Sequence, residues 1–237
     1  MITSLGNKTV KQLCRLHLKK YRTDQFLLLD EELIAAARKA GYLTKLVYAG
    51  ELPFAFDDTL EVSQDVLDKI AGREGLSFVG VSRMIEEKRS FGRRILLLDH
   101  LQDPLNIGRI MEAAILFGFD SLILSPGCAE ITNEKCLAAS KGGIYELNIV
   151  HGDLLDEIAS LKNQGYRIYA TGLRNDTRQM HEVEPEERMA FILGNEGSGV
   201  CEEVMEAADQ VMKIDMRNID SLNVGMAAAI IMYRFRI

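Results

Sequence analysis

The chain has 237 residues, 47% of them hydrophobic, with a mean hydropathy of −0.01 and a formal net charge of −7. That length and composition suit one large or two modest globular domains rather than a disordered chain. No run of about 18 apolar residues is present, so no membrane span is expected, and the net acidity excludes a uniformly basic coat for nucleic acid.

The charge is unevenly spread. Residues 1–22 hold Lys8, Lys11, Arg15, Lys19, Lys20 and Arg22 and no acid, residues 1–94 carry 16 basic against 13 acidic residues, and the remainder 12 against 22. A basic arm on an acidic body fits phosphate contacts from one region, or a solvated amphipathic helix. The four cysteines, Cys14, Cys128, Cys136 and Cys201, lack CxxC spacing and histidine neighbours. They read as reduced thiols with no metal role. The first residues show no apolar secretory core, and a cytoplasmic location is expected.

In chain order, VKQLCRLHLKKYR (10–22) has helical spacing, QFLLLD (25–30) is a short strand, and EELIAAARKAG (31–41) is a helix closed by Gly41. KLVYAG (45–50) is a strand, SQDVLDKIAGREG (63–75) a helix capped by Ser63, and SFVGVSR (77–83) a strand. IEEKRSFGRR (85–94) breaks the pattern and marks a linker, placing one domain at 1–90 and a second at 91–237. RILLLDHL (94–101) is a continuous apolar run, as expected of a strand covered on both faces. A helix follows and ends at Gly118. Further strands are SLILS (121–125), RIYAT (167–171), MAFILG (189–194) and QVMKI (210–214), with helices at 134–142, 154–165 and 201–208 between them. This alternation predicts an α/β fold with a mainly parallel sheet flanked by helices, preceded by a smaller α/β domain.

Three turns at strand ends carry the polar residues, and ligands of open parallel sheets bind at such ends. DPLNIGRI (103–110) offers Asn106 and Gly108, where Asn106 is either a helix N-cap or a ligand contact. ILGNEGSGV (192–200) places Gly194, Gly197 and Gly199 around Glu196. Its spacing is neither a dinucleotide fingerprint nor a Walker loop, yet three glycines demand bends that side chains forbid. KIDMRNIDSLNVGMAAAIIMY (213–233) runs from a strand through Ser221-Leu222-Asn223 into an apolar helix with Gly225, Ala227, Ala228 and Ala229. Ser221 is a candidate N-cap, and the small residues predict close packing in a core or a subunit interface.

Taken in order, these three motifs resemble those of the SpoU (TrmH-like) branch of the SPOUT methyltransferases over residues 94–233. The stretch ITSLGNKTVKQLCRLHLKKYR (2–22) also looks like the start of the small RNA-recognition domain found in many members, with FLLLD where FLVEG is usual. The resemblance implies a C-terminal trefoil knot, an exception to the rule against threading. It implies a homodimer, S-adenosylmethionine (SAM) as methyl donor, no metal, and the ribose 2′-hydroxyl of rRNA or tRNA as acceptor. By motif, Gly194, Ile214 and Leu222 would meet SAM largely through backbone atoms, with Thr171, Gly172, Met216 and Asn223 lining the same pocket. Asn106, Glu196, Ser221 and Asn223 match the polar positions around the acceptor.

One position departs from the family. Six residues after the first-motif asparagine an arginine is usual; here stands Glu112, followed by Ala113. A carboxylate repels phosphate. Arg109, one turn earlier, is the candidate replacement cation with Glu112 paired to it; alternatively Glu112 is itself a base. Further alternatives are an RNA-binding relative that keeps SAM or RNA binding but has lost methyl transfer, and a changed substrate class such as a small nucleotide-like ligand.

Overall fold

The computed structural model describes residues 1–216 and 222–237. The chain divides into two compact units, residues 1–86 with 132–145 and residues 87–131 with 146–237. The division falls at Glu86/Glu87, and residues 132–145 pack with the first unit although they lie beyond the expected boundary.

In the first unit, α1 spans Lys8–Arg15, starting earlier and ending earlier than the apolar spacing suggested. Asn7 sets the start by accepting hydrogen bonds from the Thr9 and Val10 amides. The chain leaves the helix at Leu16, whose side chain is buried with Val10 and Leu13. Then come β1 (Gln25–Leu28), α2 (Glu31–Lys39), β2 (Leu43–Tyr48), β3 (Thr59–Glu61), α3 (Gln64–Ala71) and β4 (Phe78–Arg83). The four strands lie in the order β1-β4-β2-β3, with β2 and β3 parallel and the other pairs antiparallel. The short strand β3 had no signal in the sequence pattern. Val47, Val66, Leu67, Ile70, Val79 and Val81 fill the core beneath α1.

In the second unit β5 (Arg94–Asp99) is buried throughout, as its apolar run requires. It leads into α4 (Pro104–Phe117), then β6 (Ser121–Leu124). Helix α5 (Glu134–Ser140) belongs to the first unit, and β7 (Asn148–His151) resumes the second. The rest runs α6 (Leu154–Asn163), β8 (Arg167–Thr171), β9 (Arg178–Gln179), β10 (Met189–Gly194), α7 (Glu202–Ala207), β11 (Gln210–Lys213) and α8 (Val224–Arg234). The seven strands are all parallel, in the order β7-β6-β5-β10-β8-β11-β9. Sequence pattern alone missed β7 and the two-residue β9.

Two cores sandwich this sheet. One gathers Ile95, Leu97, Ile123, Ile158, Ile168 and Ile192 against α6 and α7. On the other face Phe191 touches the rings of Phe119, Tyr169 and Phe235, which fastens the end of α8 to the sheet. Each such buried side chain contributes about 1.5–3 kcal/mol by leaving water. The Tyr169 hydroxyl donates to Glu186 Oε1 at 2.6 Å. Burial first, then this hydrogen bond and the Glu186 charge, push its ionisation up to about 12. An unfolded tyrosine ionises near 10, so the group's contribution to stability is complete below about pH 10 and is lost as pH rises towards 12. An ultraviolet difference titration is expected to find Tyr169 silent until that range, and Tyr169→Phe should flatten the fall of stability across it.

Candidate active site

The sheet brings four strand ends together. Parallel pairing aligns Gly194 with Asp99, Ile192 with Ala170, and Met212 with Thr171. The carboxyl ends of β5, β10, β8 and β11 therefore open at one edge, and the three motif turns leave from them.

The first turn is tighter than the sequence suggested. Asp103, not Asn106, caps α4 by accepting from the Leu105 amide at 2.9 Å, with Pro104 in the first helical turn. Asn106 is thus inside the helix, and it is 2% exposed. A buried amide side chain needs partners, and Asn106 has two. Its Nδ2 donates to Glu196 Oε1 at 2.9 Å, and its Oδ1 accepts from Asn223 Nδ2 at 3.1 Å. Asn223 in turn caps α8, its Oδ1 accepting from the Gly225 and Met226 amides at 3.0 and 3.3 Å. One hydrogen-bonded chain, Glu196–Asn106–Asn223, joins all three motifs.

Glycines make the approach possible. A Cβ on Gly194 would overlap the backbone of Gly199 and Val200, so the second turn folds directly onto the strand end. A Cβ on Gly225 would press on the capping oxygen of Asn223 at 3.2 Å and make ordinary contact with Asn106 Oδ1 at 3.6 Å, so the first turn of α8 packs closely beside the Asn106 amide.

The candidate cofactor residues sit at the ends of β8, β10 and β11. Thr171 Oγ1 donates to the Ile192 carbonyl at 2.9 Å, and the Gly172 amide donates to the Met212 carbonyl at 3.1 Å. Both spend their donors on the sheet. Beyond β11, Ile214 and Leu222 are half-buried and Met216 is exposed. Partly exposed apolar side chains suit an apolar ring system with polar edges. Ser221 lies outside the described residues. The expected ion pair between Arg109 and Glu112 is not formed: among the described residues neither makes a salt bridge within 4 Å, Arg109 is exposed and Glu112 half-buried. They are one turn apart on α4. Among the described residues no group of three or more His, Cys, Asp or Glu is arranged to hold a metal, and no helix is long and apolar enough to cross a membrane.

Residues 93–233 match the family model described as the SpoU rRNA methylase family. The chain belongs to the SpoU rRNA methylase family. It is 31% identical over 245 aligned positions to the 23S rRNA (guanosine(2553)-2′-O)-methyltransferase RlmP of Bacillus subtilis, covering 99% of this chain and 98% of that one. Among solved structures, a protein of Porphyromonas gingivalis assigned to the TrmH family of RNA methyltransferases superposes with a TM-score of 0.87 at 25% identity, over 98% of both chains. An rRNA methyltransferase of Sinorhizobium meliloti with AdoMet bound shares the fold, with a TM-score of 0.88 at 24% identity over 98% of this chain and 95% of that one. These likenesses run through both units of this SpoU-family chain.

The bond between Asn106 and Asn223 makes a separable prediction. Asn223→Ala removes both the α8 cap and the donor to Asn106, and is expected to cost about 1 kcal/mol of stability, read as a lower melting temperature. Asn223→Asp keeps a capping oxygen but cannot donate. It should recover the melting temperature while leaving SAM binding or turnover impaired.

Proposed function

We propose that this protein transfers a methyl group from SAM to a ribose 2′-hydroxyl of RNA, with ribosomal RNA the favoured class. The observation that carries the reading is the Glu196–Asn106–Asn223 chain at the mouth of four parallel strands. Family membership and the RlmP likeness support it.

SAM fits the strand-end residues, where Thr171, Gly172, Gly194, Ile214, Met216, Leu222 and Asn223 would hold it. Bound there, it supplies a methyl group already activated on a sulfonium sulfur. What remains for the protein is to orient a hydroxyl and take up its proton. Glu196 is the acceptor for that proton, its carboxylate fixed by the Asn106 amide while the residue stays exposed to an incoming ribose. Asn223 fixes Asn106, and Ser221 is placed with this acceptor group by motif. Arg109, exposed and without an ion pair among the described residues, supplies the cation for the flanking phosphate. Glu112 stands where it would repel that phosphate, so the RNA backbone approaches over Arg109 instead.

The first unit serves as the RNA-recognition domain. Lys8, Lys11, Arg15, Lys19 and Lys20 are all exposed, and the Arg15 and Lys20 charges lie 5.4 and 5.0 Å from the Tyr21 ring centroid. The working form is a homodimer built on the second unit. Supporting this, Met226, Ile230, Tyr233 and Ile237 recur on one side of α8 and its end, and all are exposed. The reading also includes a cytoplasmic location and a trefoil knot, which suits a chain that passes from β10 beyond β8 to β11 and returns to pack α8 on α4.

Incubating the protein with methyl-labelled SAM and total cellular RNA tests the proposal. Label is expected in RNA, with binding that weakens as salt rises. SAM binding without transfer, unchanged by Glu112→Arg, would instead support the non-catalytic RNA-binding reading.

A further inference from the structure

Glu196 lies on an exposed loop, and one hydrogen bond to Asn106 is a thin tether for a reacting carboxylate. The loop is held elsewhere. Asn195 and Gly199 exchange two backbone hydrogen bonds, at 3.0 and 2.9 Å, which close the turn. The Asn195 side chain braces it from inside, its Oδ1 accepting from the Gly197 amide at 2.8 Å and the Ser198 amide at 3.3 Å.

Both ends of this closed turn are tied to two consecutive residues at the end of β5. At the entry, Asn195 Nδ2 donates to the His100 carbonyl at 2.8 Å. At the exit, the Cys201 amide donates to Asp99 Oδ2 at 2.8 Å. The other Asp99 oxygen bonds His100 Nδ1 at 2.6 Å, so one buried carboxylate, 1% exposed, serves the loop and the histidine together. His100 has a φ of +55°, a left-handed conformation that is strained for a non-glycine residue. That conformation is held by the His100 amide donating to Ser125 Oγ at 2.8 Å, and by the imidazole occupying the space where Gly127 has no side chain. Strain retained at a site-bordering residue, with three bonds enforcing it, is a device for aiming the carbonyl.

We propose that Asp99 and His100 are positioning residues, a clamp that holds the 195–201 loop so that Glu196 meets Asn106. The clamp acts on turnover through Glu196, and that half of the proposal rests on Glu196 serving the acceptor hydroxyl. Asp99 touches neither substrate nor cofactor in this scheme. Its two oxygens divide the work, one accepting from the Cys201 amide and the other bonding the imidazole.

Two measurements on the full-length protein test it. Hydrogen exchange over 195–201 reads the clamp itself. Asp99→Ala and the exposed-loop variant Asn195→Ala should each speed exchange there by about tenfold or more, and Asp99→Asn, which keeps an oxygen for the Cys201 amide, should restore most of the protection. Unchanged exchange in Asn195→Ala and in Asp99→Ala overturns the clamp. A double-mutant cycle reads the coupling. Asp99→Ala is expected to lower kcat about tenfold or more with little change in the KM for SAM, and to lower it no further in a Glu196→Gln background. Equal factors in both backgrounds overturn positioning through Glu196 and leave a general structural role. Faster exchange together with wild-type turnover in Glu196→Gln removes Glu196 from the reaction, a failure of the functional reading that the exchange data keep distinct from a failure of the clamp.

Discussion

Asn106→Ala is expected to lower methyl-transfer turnover by about 10²- to 10³-fold, the range for removing one pre-aimed hydrogen-bond donor from a reacting centre. The argument is geometric. Asn106 is buried, and its two amide atoms are committed in opposite directions, to Glu196 and to Asn223. Alanine frees the carboxylate to turn into solvent and leaves the Asn223 amide without its partner. Asn106→Asp discriminates further, because it keeps the acceptor for Asn223 but sets a second carboxylate against Glu196. Like charges at hydrogen-bond distance cannot both stay ionised cheaply. Aspartate should therefore be no better than alanine in turnover, although it is closer to asparagine in size. Single-turnover rates at saturating SAM make the comparison free of product release.

The second large effect concerns stability. Arg94 is 6% exposed, and its Nε donates to the Phe235 carbonyl at 2.8 Å while one terminal nitrogen donates to the Glu187 carbonyl at 2.9 Å and the Arg93 carbonyl at 3.1 Å. No carboxylate of the described residues pairs with it within 4 Å. Burial first, then the neighbouring Arg93 charge, lower its affinity for the proton, although an arginine stays charged. The guanidinium knots the start of β5, the chain before β10 and the residue that ends α8. Arg94→Ala takes this donor from the Phe235 and Glu187 carbonyls, while the Arg93 carbonyl keeps the Met189 amide, and is expected to destabilise by about 2–4 kcal/mol, seen as a lower denaturation midpoint with unchanged slope. Arg94→Lys should recover little, because one ammonium cannot span carbonyls that a planar fork reaches together. Since Phe235 follows α8, loosening this end also loosens the helix whose other end Asn223 caps.

Much of this was legible in the residues. The uninterrupted apolar run of β5 announces a strand buried on both faces, and the alternation after it announces a parallel sheet. Glycine at 194, 197 and 199 marks a turn that must fold back on its own strand, as the overlap at Gly194 shows. Periodicity could not reveal the excursion of 132–145 into the first unit, because its apolar spacing is that of any packed helix. It could not find β7 or β9 either. A four-residue and a two-residue edge carry too few side chains to show alternation. The start of α4 is ambiguous in the residues, because Asp103 and Asn106 are both good caps and only the structure shows that Asp103 does the capping. Arg109 and Glu112 have ideal spacing for an ion pair, yet spacing does not fix side-chain direction on a partly buried helix. Asp99 and His100 went unread because their role lies in contacts to residues about a hundred positions away, Asn195 and Cys201.

The site to which label goes is the most direct test of the central claim. RNA methylated with labelled SAM by this protein should be digested with alkali, which cleaves wherever a free 2′-hydroxyl can attack the adjacent phosphate. Methylation of that hydroxyl blocks the cut, so the account predicts label confined to alkali-resistant dinucleotides, and lost with Asn106→Ala. Label recovered in mononucleotides would place the methyl group on a base and contradict the account.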